Sequence, residues 1–128
     1  MSTHLLVANP TAQSGRNAPR IQKALELLSV RGVDCELFPT LPGGRTIPAL
    51  LERLDRSSHR CVISMGGDGT FREVASAIYG SHRRELIAMG MLPTGTANDQ
   101  GRSFGLESRE GALERNVDVI VAGRETRL

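Results

Sequence analysis

The residues of this 128-residue chain best suited to chemistry sit in two glycine-centred segments. They are Met65-Gly66-Gly67-Asp68-Gly69-Thr70 and Leu92-Pro93-Thr94-Gly95-Thr96-Ala97-Asn98-Asp99. Each follows a short apolar run and opens a stretch of helical periodicity. That is a strand–turn–helix, the place where an open α/β sheet holds a phosphate. Glycines let the backbone approach an anion closely, and aspartates can hold a metal or order water.

Two familiar phosphate motifs are excluded at the first segment. No lysine follows a glycine run, so there is no Walker A loop. Counting from Gly67, the third glycine of a dinucleotide fingerprint is replaced by Arg72. What remains is a tight turn entering a helix at Thr70-Phe71-Arg72-Glu73. Thr70 and Glu73 stand at capping-box spacing, which predicts two backbone donors satisfied reciprocally. The remaining N–H groups and the positive helix end would face a phosphate. The Asp68 carboxylate repels phosphate unless a cation lies between them, and a bridging Mg²⁺ resolves the conflict. The plain alternative is a capped βα turn with no ligand.

The second segment changes that balance. Successive strand ends lie on one edge of a parallel sheet, so both loops can face one crevice. Thr94 and Thr96 offer hydroxyls, Asn98 an amide and Asp99 a second carboxylate, although Thr96 or Asn98 could simply cap the next turn. A third strand end, Asn9-Pro10-Thr11-Ala12-Gln13-Ser14-Gly15, adds polar groups and a flexible turn. Thr40 follows the second strand and should reach the same edge. Four polar loops converging on one edge favour a binding site.

The elements that must position these loops are legible in the hydrophobic pattern. Leu5–Ala8, Cys35–Phe38, Cys61–Met65 and Leu86–Met91 read as strands. Ile21, Ala24, Leu25 and Leu28 recur at helical spacing, with Asn17 as N-cap and Gly32 just past the end. Ile47, Leu50, Leu51 and Leu54 repeat the pattern with Thr46 as N-cap. Phe71, Val74, Ala75 and Ile78 make a third helix closed by Gly80. Strands alternating with helices predict a doubly wound α/β fold, a parallel sheet with helices on both faces. Near the end, Val117, Val119 and Val121 alternate like a strand, while Leu113, Val117, Ile120 and Val121 fit a helix. Ser108 as N-cap and Gly123 past the end favour the helix. Glu125–Leu128 would then begin another strand, and its abrupt stop reads as the end of a fragment.

Composition bounds the rest. The length suits one domain, residues 1–128, with a real core. No apolar run could span a bilayer and no start resembles a signal peptide, so a cytoplasmic protein is expected. The formal charge is only +2, and all but one of the sixteen basic residues are arginine. These arginines read as scattered and solvated rather than as an anion-binding face. With one tyrosine, three phenylalanines and no tryptophan there is little to stack on bases, so nucleic acid is disfavoured. Cys35 and Cys61 form neither a zinc set nor a disulfide framework and read as structural thiols. His4, His59 and His82 lie outside the loops and read as surface residues.

Taken in order, Asn9-Pro10 with Ser14-Gly15, the Gly66–Thr70 loop with Glu73-Val74, and Pro93–Asp99 resemble the diacylglycerol kinase and sphingosine kinase family. The likeness is to its bacterial lipid kinases and runs along essentially the whole chain. NAD kinases share the Gly-Gly-Asp-Gly-Thr loop, whereas the second loop belongs to the lipid-kinase side. The resemblance implies that Gly66, Gly67, Asp68, Gly69, Thr70, Phe71, Arg72 and Glu73 bind the phosphates of ATP. Thr40 and Thr96 would be further nucleotide contacts, with Asn9 from the first loop and Thr94, Gly95 and Asn98 from the second. Asp68 and Asp99 would organise Mg²⁺ and water, and are the candidate catalytic residues.

Three positions depart from the family pattern. Arg72 stands where asparagine is common, Gln100 where an aromatic is common, and Ser76 is unlike the usual residue. Arg72 either pairs with phosphate or points into solvent. Family members also carry a second, β-rich domain that holds lipid and supplies a further aspartate, and nothing here corresponds to it. The chain is therefore expected to be the ATP-binding domain of a kinase passing the γ-phosphoryl group to a lipid hydroxyl, diacylglycerol or a related lipid. It would be inactive or nearly so alone. Its lipid would bind through the missing domain, with transient contact at the inner face of a membrane. A non-catalytic nucleotide-sensing module and an NAD kinase-like enzyme are the alternatives.

Overall fold

The computed structural model describes residues 3–12, 14–93, 117 and 126–127. Four parallel strands carry the fold: β1 (His4–Ala8), β2 (Cys35–Pro39), β3 (Cys61–Gly66) and β4 (Ala88–Pro93). Between them run α1 (Asn17–Val30), α2 (Thr46–Arg56) and α3 (Asp68–Gly80), and a 3-10 turn at Arg84–Leu86 precedes β4. A two-residue strand, β5 (Thr126–Arg127), pairs antiparallel with Met89 and Ala88. The spatial order is β2-β1-β3-β4-β5. Stepping from β1 outward to β2 and then back across to β3 makes β1/β3 the switch point, where the crevice of such a sheet opens.

Each strand alternates between two cores because successive side chains point to opposite faces. Leu6, Ala8, Cys61, Ile63, Met65 and Leu92 pack with Ile21, Ala24 and Leu28 of α1. Leu5, Val7, Val62 and Met89 pack with Leu50 and Leu54 of α2 and with Val74, Ala77 and Ile78 of α3. Helices thus cover both faces, as expected of a doubly wound sheet. Val117 is helical, fully buried and joins the α1 side, in keeping with the helical reading of that position. The rest of residues 108–125 lies outside the described residues.

Several local expectations are corrected. Asn17, Thr46 and Thr70 do not cap their helices. The N-cap positions are Arg16, Arg45 and Gly67, and none makes a side-chain cap hydrogen bond. Asn17 and Thr46 reach back to the preceding loop instead. Asn17 donates its amide to the Asn9 carbonyl at 2.8 Å. The Thr46 hydroxyl accepts from the Leu41 N–H at 2.8 Å and donates to the Leu41 carbonyl at 3.1 Å. Thr70 is already the third residue of α3, so its pairing with Glu73 is not a capping box. β4 starts two residues later than Leu86, which sits in the 3-10 turn and is 64% exposed. His59 is buried at 5% exposure, not on the surface, while His82 is exposed.

Both cysteines are free thiols. Burial, helped by the Asp34 and Glu36 carboxylates, pushes the Cys35 thiol up to about 12. It therefore stays protonated and unreactive. Among the described residues, no helix is long and apolar enough to cross a membrane.

Candidate functional site

Register brings the strand ends together. Ala8 is level with Pro39 on one side and Met65 on the other, and Gly66 is level with Pro93. The residues after these positions share one edge, so Asn9, Thr40 and the Gly66–Thr70 turn are neighbours across it. The Thr40 N–H donates to the Ala8 carbonyl at 2.9 Å, fixing that residue beside the end of β1. Thr94, Gly95, Thr96, Asn98 and Asp99 lie outside the described residues, and the chain leaves β4 beside Gly66.

The turn itself is built by one glycine and left open by two others. Gly66 has φ +154, and a Cβ there would lie 2.9 Å from the Thr70 Oγ1. Both conformation and space exclude a side chain. Gly67 and Gly69 are different. A Cβ at either would meet nothing within 4 Å, and neither has a positive φ. The protein's own packing does not call for glycine at these two positions.

Gly67 is the extended N-cap of α3, and the first helical bond runs from the Phe71 N–H to the Gly67 carbonyl at 3.2 Å. Helix geometry leaves the N–H groups of Asp68, Gly69 and Thr70 ahead of that first acceptor, and no side chain caps them. Three donors and the positive helix end therefore converge where Gly67 and Gly69 leave space. Phe71 spends its N–H within the helix and packs its ring on the α2/α3-side core. Arg72 is exposed, and Glu73 is half-buried one residue on.

Asn9 is already engaged in its own turn. Its side-chain oxygen accepts from the Thr11 N–H at 3.0 Å and from the Thr11 hydroxyl at 2.8 Å. Ser14 and Gly15, both at positive φ, bend the chain back toward α1.

Among the described residues no group of three or more His, Cys, Asp or Glu could hold a metal. Asp68 brings a carboxylate to the edge, and one of its oxygens, Oδ1, is buried without a hydrogen-bond partner. A single carboxylate is compatible with Mg²⁺, which keeps water and substrate phosphate as most of its ligands.

Two buried groups were missed in the sequence. Ser64 is 1% exposed in β3 and Asn17 is 1% exposed at the start of α1. The Ser64 hydroxyl and the Asn17 side-chain oxygen have no hydrogen-bond partner. A polar residue inside the apolar run Cys61–Met65 was the available signal for Ser64.

Comparison with known proteins follows the same lines. Residues 3–128 match the family model for the diacylglycerol kinase catalytic domain. A Klebsiella pneumoniae (strain 342) protein named "Probable lipid kinase YegS-like" is 38% identical over 111 residues, 87% of this chain and 35% of its own. An Escherichia coli O127:H6 protein named "Probable lipid kinase YegS" is 32% identical over 119 residues, 93% of this chain and 38% of its own. The crystal structure of a diacylglycerol kinase from Bacillus anthracis str. Sterne superposes with a TM-score of 0.75 at 23% identity. That match covers 94% of this chain and 43% of the other. The chain thus spans little more than a third of the length of the curated relatives it matches. With the motifs, the sheet order and the family model in agreement, the chain belongs to the diacylglycerol kinase catalytic domain family.

Proposed function

We propose that this chain is the nucleotide-binding part of a lipid kinase, holding ATP so that its γ-phosphoryl group passes to a lipid hydroxyl. The observation that carries the reading is the pair Gly67 and Gly69. Gly67 is the N-cap, where glycine is tolerated, but Gly69 lies inside the helix, where glycine costs up to about 1 kcal/mol against alanine. Nothing in the fold requires it at either position. A ligand approaching the backbone does require it.

In this reading the Asp68, Gly69 and Thr70 N–H groups bind the phosphates. Thr40 and Asn9 line the neighbouring strand ends, and Arg72 and Glu73 flank the phosphates from the next turn. Thr94, Gly95, Thr96 and Asn98 complete the edge, with Asp68 and Asp99 holding Mg²⁺. The metal would supply charge neutralisation on the phosphates, and the chain's own part is positioning. The acceptor lipid, a diacylglycerol or a relative, would be held by sequence that the longer relatives have and this chain does not span. A kinase of this kind would work in the cytoplasm, at the inner face of a membrane.

The test is Gly69→Ala, read two ways. Helix propensity predicts that the variant is more stable by up to about 1 kcal/mol. Nucleotide affinity should fall by more than about 1 kcal/mol, because the methyl group stands where phosphate meets the N–H. NMR titration with Mg-ADP should shift the amides of 67–70 in the wild type. Unchanged affinity in the variant, or shifts confined to another surface, would return the loop to a plain βα turn.

A further inference from the structure

One face of α3 lies on the sheet, formed by Val74, Ala77 and Ile78 with Phe71 packed against them. Asp68 precedes Phe71 by three residues and so stands at the head of that same face. This explains why its Oδ1 is buried although the residue as a whole is only half-buried. In β3, Val62 points into the α2/α3-side core, and Ser64, two residues on, points to the same side. Ser64 is 1% exposed. The beginning of α3 and the end of β3 therefore carry, on facing sides, a carboxylate oxygen and a hydroxyl. Both are buried and neither has a partner. One can only accept and the other can donate. Buried polar groups are rarely left in this state, so the complementarity has a use.

We propose that Ser64 is a positioning residue for Asp68. Its hydroxyl donates toward Oδ1 through one bridging water and holds that oxygen inward. The carboxylate is thereby fixed with Oδ2 as the oxygen presented to the crevice. The consequence for nucleotide rests on the function proposed above, whereas the coupling of the two side chains does not.

The experiment is a double-mutant cycle of Ser64→Ala and Asp68→Ala in the whole chain, read by calorimetric titration with ADP, with and without Mg²⁺, and by urea unfolding. Ser64→Ala should weaken Mg-ADP about three- to tenfold, the size of a lost hydrogen bond, while metal-free ADP changes less than about twofold. In the Asp68→Ala background the same change should have no further effect. Ser64→Thr, which keeps the hydroxyl, should restore Mg-ADP affinity, and Ser64→Cys replaces Ser64→Ala if that variant does not fold. Full Mg-ADP affinity in Ser64→Ala, with Asp68→Ala weakened, would overturn the inference and leave the functional reading standing. If the wild-type chain binds no nucleotide, that reading fails and the unfolding cycle decides alone. Non-additive losses support the pair, and additive losses overturn it.

Discussion

Among the described residues, the buried side-chain polar atoms at the N-terminal end of the sheet are paired, and at the C-terminal end three are left over. Arg83 closes the first end. It donates to the Leu54 carbonyl at 2.7 Å and to the His59 carbonyl at 2.9 Å, tying α2 to the segment entering β3. Buried Ser81 donates to Asp55 at 2.7 Å, and Asp55 also pairs with His82 at 3.3 Å. His59 meets the Ser57 hydroxyl at 2.6 Å, and Arg53 pairs with Glu36. At the other end stand three buried side-chain atoms without partners: one oxygen each from Asn17, Ser64 and Asp68. The uncapped first turn of α3 adds backbone donors. Unmade hydrogen bonds of this kind cost stability, and among the described residues they gather at one end of the sheet. The contrast separates an end whose polar groups are spent on the fold from an end that keeps several of them unspent.

The sharpest break in that separation is Gly66, which belongs to both. An alanine there combines φ +154 with a contact of 2.9 Å to the Thr70 side chain. Gly66→Ala should cost about 2–4 kcal/mol in urea unfolding and abolish Mg-ADP binding together. Loss of binding at unchanged stability would mean the turn relaxes freely, and that its shape is set by ligand alone.

Arg83→Ala tests the closed end. Two charge-assisted bonds to carbonyls are lost and both acceptors stay in a half-buried region. Unfolding should become easier by roughly 2–3 kcal/mol. Nucleotide affinity of the folded fraction should not move, because Arg83 is bonded at the opposite end of the sheet, to the Leu54 and His59 carbonyls. A parallel loss of affinity would show that the two ends are coupled.

These ends were not equally legible in the sequence. Ile21, Ala24 and Leu28 announce α1 by spacing alone, and the strands show as short apolar runs because both faces of the sheet are covered. Gly66–Thr70 was legible because glycines at a strand end have few meanings. The capping role given to Thr70 failed because α3 already starts at Asp68, and that given to Asn17 and Thr46 failed for another reason. The residue types that cap helices can also brace a preceding loop, and only the loop's path decides between the uses. Leu86 was read into β4 because periodicity cannot see that a 3-10 turn exposes it. His59 was read as a surface residue because groups that approach it, Glu36 and Arg83, are distant in sequence. The Pro93–Asp99 loop was read from the same kind of pattern as Gly66–Thr70, and all but Pro93 of it lies outside the described residues.

His59 gives the closed end a pH signature. Burial first, then the Arg53 charge, holds its pKa below the usual 6.5. Glu36 opposes this, and Arg83 and His4 add to it. The unfolded chain therefore binds a proton more readily than the folded one. Stability rises with pH wherever the unfolded state holds more protons. His59 thus costs nothing above its unfolded value near 6.5 and costs progressively more as the pH falls through the folded value. Urea unfolding at pH 8 and pH 5 should show this acid loss in the wild type and a smaller one in His59→Gln. An equal loss in both would assign the acid sensitivity to other groups.

The smallest effect expected concerns Glu36, which links an exposed ion pair to a buried ring. Its carboxylate pairs with Arg53 and lies 4.0 Å from the His59 Nε2. Both partners of the ion pair are more than a third exposed, at 37% and 44%, so water and salt screen it. Glu36→Gln should cost less than about 1 kcal/mol at pH 8, and the cost should shrink further in high salt. Below pH 6.5 the sign of the coupling predicts more. Among the described residues Glu36 is the charge that favours protonated His59, so its removal lowers the ring's pKa further. A larger gap between folded and unfolded values means a larger total cost once His59 is forced to take its proton. The difference between wild type and Glu36→Gln should therefore widen from pH 8 to pH 5. It should vanish from the pH dependence when His59→Gln is present as well. A gap that stays constant with pH would leave Glu36 as a surface partner of Arg53 only, and His59 would owe its behaviour to burial and the arginines.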